Sequence, residues 1–415
     1  MTGRSFQKRF LQRTLANNNG TIMLIVILIT AILAFYLISN TMIKNSMTDS
    51  KQQTNVNAQA NNIARAGLID AINWFRSQAS QPVRQGALAY ADAAFSPSSA
   101  SDTIDSTIGL VKESQIGDMD MLYGRYEVHK QSNPATYPYD AHAVHDVSGL
   151  RIAGQSAGAG LAWYIESVGY LYQKLSPAAA FNQSPNRIIA RSRVATEIRR
   201  IAVTLPGNCA VITNSQTSVT CQNNGRIIGG TGNIGLGYYS GATAPTITGS
   251  GSQITGGYAN TYSLYSATYP VVSFANIFGL TPNELRLMSD VYVTASNPLP
   301  ASYPSMAVVY VDQNQTFDDS NPLQGGGILY VNGNLTVATT SNALFSGVIF
   351  VTGTTTINGP ALISGVVISG GAITLNGVSD VSEVIYDGTI INSVRQQAGQ
   401  YRENKSVYYA FSALQ

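Results

Sequence analysis

An unbroken apolar run from Ile22 to Ile38 constrains this 415-residue chain more than any other feature. Arg4, Lys8, Arg9 and Arg13 precede it, and no charged residue occurs between Arg13 and Lys44. A helix over such a run is long enough to enter a bilayer, and its basic flank should stay on the cytoplasmic side. The Gly20–Thr21 junction stands before the run, whereas a secretory signal peptide carries its small-residue cleavage site after the apolar stretch. A cut after Gly20 would therefore leave the hydrophobic helix on the processed chain. Residues 41–79 hold no Gly or Pro except Gly67, and Ile63, Gly67, Ile72 and Phe75 fall at roughly helical spacing. Pro82 ends the pattern. The expectation is one helix of about 55 residues within 21–80, roughly 80 Å long at about 1.5 Å per residue.

This layout resembles that of type IV prepilins, in which a short basic leader ends in a glycine cut by prepilin peptidase and an apolar helix follows. On that resemblance Gly20 is the leader glycine, and Thr21 is the first mature residue, whose amine would be methylated. Most major pilins place Glu at the fifth mature position, which here is Ile25. The segment Ala64-Arg65-Ala66-Gly67-Leu68, followed by Ala71 and Trp74, is similar to that of minor pilins of the PilX or GspK type. Such proteins stand at or near a filament tip. The resemblance implies major and minor pilins and prepilin peptidase as partners, with residence in the inner membrane before assembly and at the extracellular tip afterwards. It also leaves three alternatives: a type II secretion pseudopilin that contacts cargo, a DNA-uptake pilin, and a signal-anchored surface protein outside any filament.

Residues 81–205 read as a mixed α/β headgroup. Ile104–Glu113 is expected to be helical, Gly124–Val128 and Gly160–Leu171 to be strands, and Asn186–Leu205 to be a long half-buried strand. Arg187, Arg191, Arg193, Arg199 and Arg200 form the densest basic cluster after Gly20. They are candidate contacts for an anionic ligand, weighed against the solvated face of a strand. The loop Tyr139–Asp146 sets His142 and His145 between two aspartates, yet lacks a ligand register on a helix, so an exposed polar loop is expected and no metal site.

An internal repeat occupies the last third. The segments at Ala307, Gly327, Gly347, Gly365 and Glu383 align with one another at a nearly constant spacing. In the first four, a second short strand keeps phase: Gln315–Phe317, Leu335–Val337, Thr355–Ile357 and Ile373–Leu375. Short β-branched strands at this period bury a face only by stacking, which predicts a parallel β-solenoid. Gly225–Gly257 carries looser versions of the unit, set apart by residues 258–305. Within that insertion, Thr281-Pro282 followed by Glu284 signals a helix start. The "IFG" and "EL" elements there, and Tyr401-Arg402 near the end, are similar to C-terminal parts of large PilX-like proteins.

Charged residues make up only 11% of the chain, and the net charge is +2. Removing the residues through Gly20 would take it to roughly −2, which argues against a general nucleic-acid binder. No Lys or Arg occurs from Leu287 to Val394, so the main repeat offers neither a lyase base nor phosphate contacts. Tyr238, Tyr239, Tyr258, Tyr262, Tyr265, Tyr269 and Tyr303 suit carbohydrate or protein contact, or packing. No nucleophile–base pair, phosphate loop or cofactor motif appears, so catalysis and cofactors are not expected. Cys209 and Cys221 are the two cysteines, and in an oxidising compartment they are expected to pair.

The expected fold is α+β followed by all-β. Its parts are a leader (1–20), a transmembrane and stalk helix (21–80), a pilin-like headgroup (81–205), Gly-rich rungs with an insertion (206–305), a parallel β-solenoid (306–395) and a tail (396–415). The function expected is that of a tip-located minor pilin that primes assembly and presents a surface for adhesion or recognition, with a surface glycan or protein as its ligand and nucleic acid disfavoured.

Overall fold

The computed structural model describes residues 4–78, 81–84, 104–105, 108–117, 121–130, 142–152, 155–156, 158–215, 218–240, 244–256, 263–265, 273–300, 304–378 and 380–412. Helix α1 runs unbroken over Arg4–Ser77, so Gly20 and Thr21 lie within it and the helix begins earlier than the spacing suggested. At about 1.5 Å per residue its 74 residues span roughly 110 Å. Its two halves differ. Leu28, Ile29, Ile32, Leu33, Phe35 and Tyr36 are exposed, whereas Ala60, Ala64, Leu68, Ala71, Ile72 and Phe75 are buried against the body. Among the described residues, α1 is the helix long and apolar enough to cross a membrane.

The buried half lies on an antiparallel sheet. Its strands are β1 (Ile104–Asp105), β2 (Gly109–Gln115), β3 (Leu122–His129), β4 (His145–Asp146), β5 (Ala162–Gln173) and β6 (Arg187–Arg199). The order is β1-β2-β3-β5-β6, with β4 against β5, and the C-terminal strand Arg402–Ser412 completes the sheet beside β6. Small residues permit the close contact with α1. A Cβ at Gly169 would lie 2.4 Å from the Ala60 carbonyl oxygen, and one at Gly67 would lie 2.4 Å from Ser167 Oγ. The Ala64–Leu68 segment is thus a packing surface where backbone meets sheet.

Two expectations fail in this sheet. The described residues of Ile104–Glu113 are not helical: Ile104–Asp105 is β1 and Gly109–Glu113 begins β2. Gly109 sits at φ +128, and a Cβ there would meet the Val128 carbonyl oxygen at 2.3 Å, so pairing with β3 overrides the local helical reading. Residues 396–415 are not a tail, because Arg402–Ser412 is an integral strand of the head sheet.

Between β6 and its neighbour Arg402–Ser412 the chain makes one long excursion into two parallel sheets. The repeat units pair in register as the spacing required. Ala307–Val311 lies on Gly327–Val331, these on Gly347–Val351, and these on Gly365–Ser369, while the second strands Gln315–Phe317, Leu335–Val337, Thr355–Asn358 and Ile373–Asn376 form the other sheet. Each long strand bends at a glycine. Ala361–Ser364 pairs with Ser382–Ile385, but beyond Gly365 (φ +135) Val367–Ser369 pairs with Val211–Thr213. A Cβ at Gly365 would lie 2.0 Å from the Gly347 carbonyl oxygen, so the corner column admits no side chain.

The earlier repeat-like segments are not a separate module, contrary to the boundary expected at 305. Cys209–Ser215, Val219–Gln222 and Gly225–Ile228 stack directly on the last units, through Val367↔Val211, Leu375↔Cys221 and Val384↔Ile227. Ile234–Ser240, Thr246–Thr248 and Gln253–Thr255 continue outward from them. The chain therefore enters the stack in its middle, winds to one end, returns to Val291–Val293 at the other, and winds back to the middle. Inward-facing Val309, Leu329, Ile349 and Val367 fill the core, while outward-facing Tyr310, Tyr330, Phe350 and Ile368 are covered by the helices Phe274–Phe278, Pro282–Met288 and Gly388–Gln396. The insertion thus supplies a lid for an apolar outer face.

Candidate functional site

Where stalk, head sheet and stack meet, a cleft of about 910 Å³ opens. Four arginines from different elements line it. Arg76 ends α1, Arg84 lies in the segment just after that helix, Arg200 follows β6, and Arg395 belongs to the helix Gly388–Gln396. Arg200 is buried, Arg395 is half-buried, and Arg76 and Arg84 are exposed. Neutral amides, including Gln81, Asn392 and Gln400, complete the wall, and no Asp or Glu is among the described residues that line it.

The hydrogen bonds these guanidinium groups make within the described residues all end on neutral acceptors. Arg200 Nη1 donates to Gln81 Oε1 (2.8 Å) and Nη2 to the Arg395 carbonyl oxygen (2.9 Å). Arg395 Nε donates to the Val203 carbonyl oxygen (2.9 Å) and Nη1 to Asn392 Oδ1 (3.1 Å). Arg76 Nε donates to the Tyr401 carbonyl oxygen (2.7 Å). Burial pulls the Arg200 guanidinium below its ordinary pKa, since charge is poorly solvated there.

Other arginines are treated differently. Arg125 binds Glu127 (2.7 Å), Arg151 binds Glu197 (2.8 Å), and Arg402 binds Asp290 (2.6 Å). Arg193 approaches Glu166 (3.4 Å), and buried Arg199 binds Glu284. The Glu284 carboxylate also accepts from the backbone N–H of Thr281 (2.8 Å), closing the capping box that Thr281-Pro282 signalled.

The five arginines of the 187–200 cluster therefore do not share one surface. Along a 13-residue strand at about 3.3 Å per residue, Arg187 and Arg199 are roughly 40 Å apart. Arg187 and Arg191 are exposed, with Arg191 over the Tyr170 ring at 5.5 Å. Arg193 and Arg199 serve ion pairs, and Arg200 alone reaches the cleft. Sequence spacing missed Arg76, Arg84 and Arg395, which are far apart in the chain and carry no common motif. The missing signal was the head sheet's closure by Arg402–Ser412, which brings the helix with Arg395 beside the end of α1.

The cysteine expectation also fails. Cys209 and Cys221 form no disulfide. Cys209 lies in the outer cluster under the helices and Cys221 in the inner core between the sheets, so one wall of the stack separates them. Burial pushes the Cys221 thiol up to about 12.

In the histidine loop, residues 139–141 lie outside the described residues. His142 Nδ1 is 3.1 Å from Glu166 Oε2, His145 Nδ1 donates to the Ala143 carbonyl oxygen (2.7 Å), and Asp146 accepts from the N–H groups of Ser148 and Gly160 (both 2.6 Å). These contacts anchor the loop to β5. In the stack, Asp318 closes a turn by accepting from the Ser320 N–H at 3.0 Å. Tyr238 is buried, while Tyr258, Tyr262, Tyr269 and Tyr303 lie outside the described residues.

No protein-family model matches this chain, and no curated protein matches it. A solved structure, the crystal structure of competence-associated pilin ComZ from Thermus thermophilus, is similar over 86% of this chain and 97% of that one. The identity is 13% and the TM-score 0.20.

Proposed function

We propose that this chain is a pilin-like filament subunit, anchored in the inner membrane before assembly and held at the filament tip afterwards as a non-catalytic minor pilin. The observation that carries the reading is the division of α1. Its first half exposes apolar side chains at Leu28, Ile32 and Phe35, while its second half is packed into the head sheet through Ala60, Ala64 and Phe75. An exposed apolar helix needs either lipid or neighbouring helices, and passage from one to the other is what filament assembly requires. The parallel stack, read as a β-solenoid, extends from the head as a single excursion between β6 and Arg402–Ser412. A body of that bulk on every subunit would clash in a tight shaft, which favours the tip and a role in priming assembly. The largely uncharged stack then presents the surface for adhesion or recognition.

Mass spectrometry of the mature N-terminus tests this reading, using protein from membranes and from sheared filaments, with and without prepilin peptidase. A chain beginning at Thr21, methylated and present in the sheared fraction, supports it. An intact N-terminus that ignores the peptidase overturns it in favour of a signal-anchored protein, and processing without release on shearing favours a secretion pseudopilin.

A further inference from the structure

We infer that the arginine-lined cleft is a binding site for a small multivalent oxyanion of the phosphate type, independent of whether the chain enters a filament. Burying a guanidinium group is costly unless an anion accompanies it, and elsewhere in this molecule a carboxylate does so for the buried or half-buried Arg125, Arg193, Arg199 and Arg402. At the cleft the pattern reverses. Arg76, Arg84, Arg200 and Arg395 line one cleft, no carboxylate is among the described residues of its wall, and the hydrogen bonds of Arg76, Arg200 and Arg395 hold the groups in place through neutral acceptors. Asp290, which acts on Arg76 from outside the wall, is already paired with Arg402, and Arg200 is buried with neutral acceptors alone.

The volume and the chemistry narrow the ligand. A space of about 910 Å³ falls in the range of pockets that enclose small molecules. Guanidinium forks match the oxygen spacing of phosphate and carboxylate, and four of them favour a ligand carrying several charges. Asn392 and Gln400 add amides able to donate to further oxygens or hydroxyls. The ligand would join α1, β6 and the helix Gly388–Gln396, tying stalk, head and stack together.

The test is calorimetric titration of the full chain in detergent micelles with pyrophosphate, orthophosphate and acetate, alongside thermal unfolding. Saturable one-site binding is expected, tighter for pyrophosphate than orthophosphate, with a raised Tm and no response to acetate. Arg84→Gln, an exposed position, and Arg395→Gln should each weaken pyrophosphate at least about tenfold. Arg187→Gln, outside the cleft, should leave it unchanged. Arg84→Gln keeps the proposal falsifiable if Arg395→Gln fails to fold. The proposal is overturned if pyrophosphate gives neither heat nor a Tm shift, if acetate matches it at equal ionic strength, or if Arg84→Gln binds as the parent does. Binding of orthophosphate as tight as that of pyrophosphate would identify a free inorganic ion as the occupant. A strong preference for pyrophosphate would point to a linked phosphate.

Discussion

The head sheet and the parallel stack are built from the same chain by opposite strategies. In the head, strands in near-sequential order are closed by the two ends of the chain: β6 pairs with Arg402–Ser412, and α1 from the other end covers the sheet. Charge is buried and matched there, with Glu127, Glu166 and Glu197 each within reach of an arginine. In the stack, most strands pair with the same strand of the next repeat, and the core is aliphatic. Specificity in the head comes from unique contacts. In the stack it comes from repetition, with one exception at the seam where Cys209–Ser215 meets Ala361–Ser369. That seam lets both ends of the excursion return to the head.

If the two regions differ in this way, single substitutions should separate them. The largest effect is expected at Tyr401, which is fully buried against Phe75 and Trp163. Its hydroxyl donates to the Gly160 carbonyl oxygen and accepts from Val83 N–H at 2.9 Å. Tyr401→Ala should cost about 3–5 kcal/mol in denaturant unfolding, with tryptophan fluorescence reporting loss of the head. A stack that unfolds in the same transition would show that the seam couples the two regions.

A smaller effect is expected from Gly365→Ala, which places a Cβ against the Gly347 carbonyl oxygen at a positive φ. It should cost about 2–3 kcal/mol and raise hydrogen exchange in 343–376 first. Equal loss of protection in β5 and β6 would break the contrast.

The smallest effect concerns pH and belongs to the head alone. Burial by itself would raise the Glu127 pKa, but hydrogen bonds with His129 and Arg125 outweigh it and hold the carboxyl below its ordinary range. The folded state therefore binds fewer protons than the unfolded one in that range. The contribution is complete above the unfolded carboxylate pKa and lost as pH falls through the folded value. Glu127→Gln should flatten the acid limb of the head's stability curve and leave the stack's unchanged. An unaltered slope would remove Glu127 from the account.

Repetition was legible because its partners sit at constant offset: Gly327, Gly347 and Gly365 mark their own register, and valine and isoleucine between them alternate inward and outward. The helix start at Thr281 was legible because capping is local. The reading of Ile104–Glu113 failed because Gly109 answers to Val128 across the sheet, which no local window contains. The five-arginine cluster misled for a related reason, since closeness along an extended strand spreads groups apart in space. The cleft had no signature at all, its arginines at 76, 84, 200 and 395 being assembled by the fold.

The sequence by itself determined the long apolar helix and the stacked repeat, since both depend on periodicities that a short window contains. Only the tertiary structure decided that residues 402–412 complete the head sheet, that the early rungs follow the late ones, that the two cysteines stand apart, and that four arginines share a cleft. Those outcomes rest on pairing between distant segments. Such pairing is chosen by which arrangement buries the most apolar surface while satisfying backbone hydrogen bonds, a comparison only the whole chain can make.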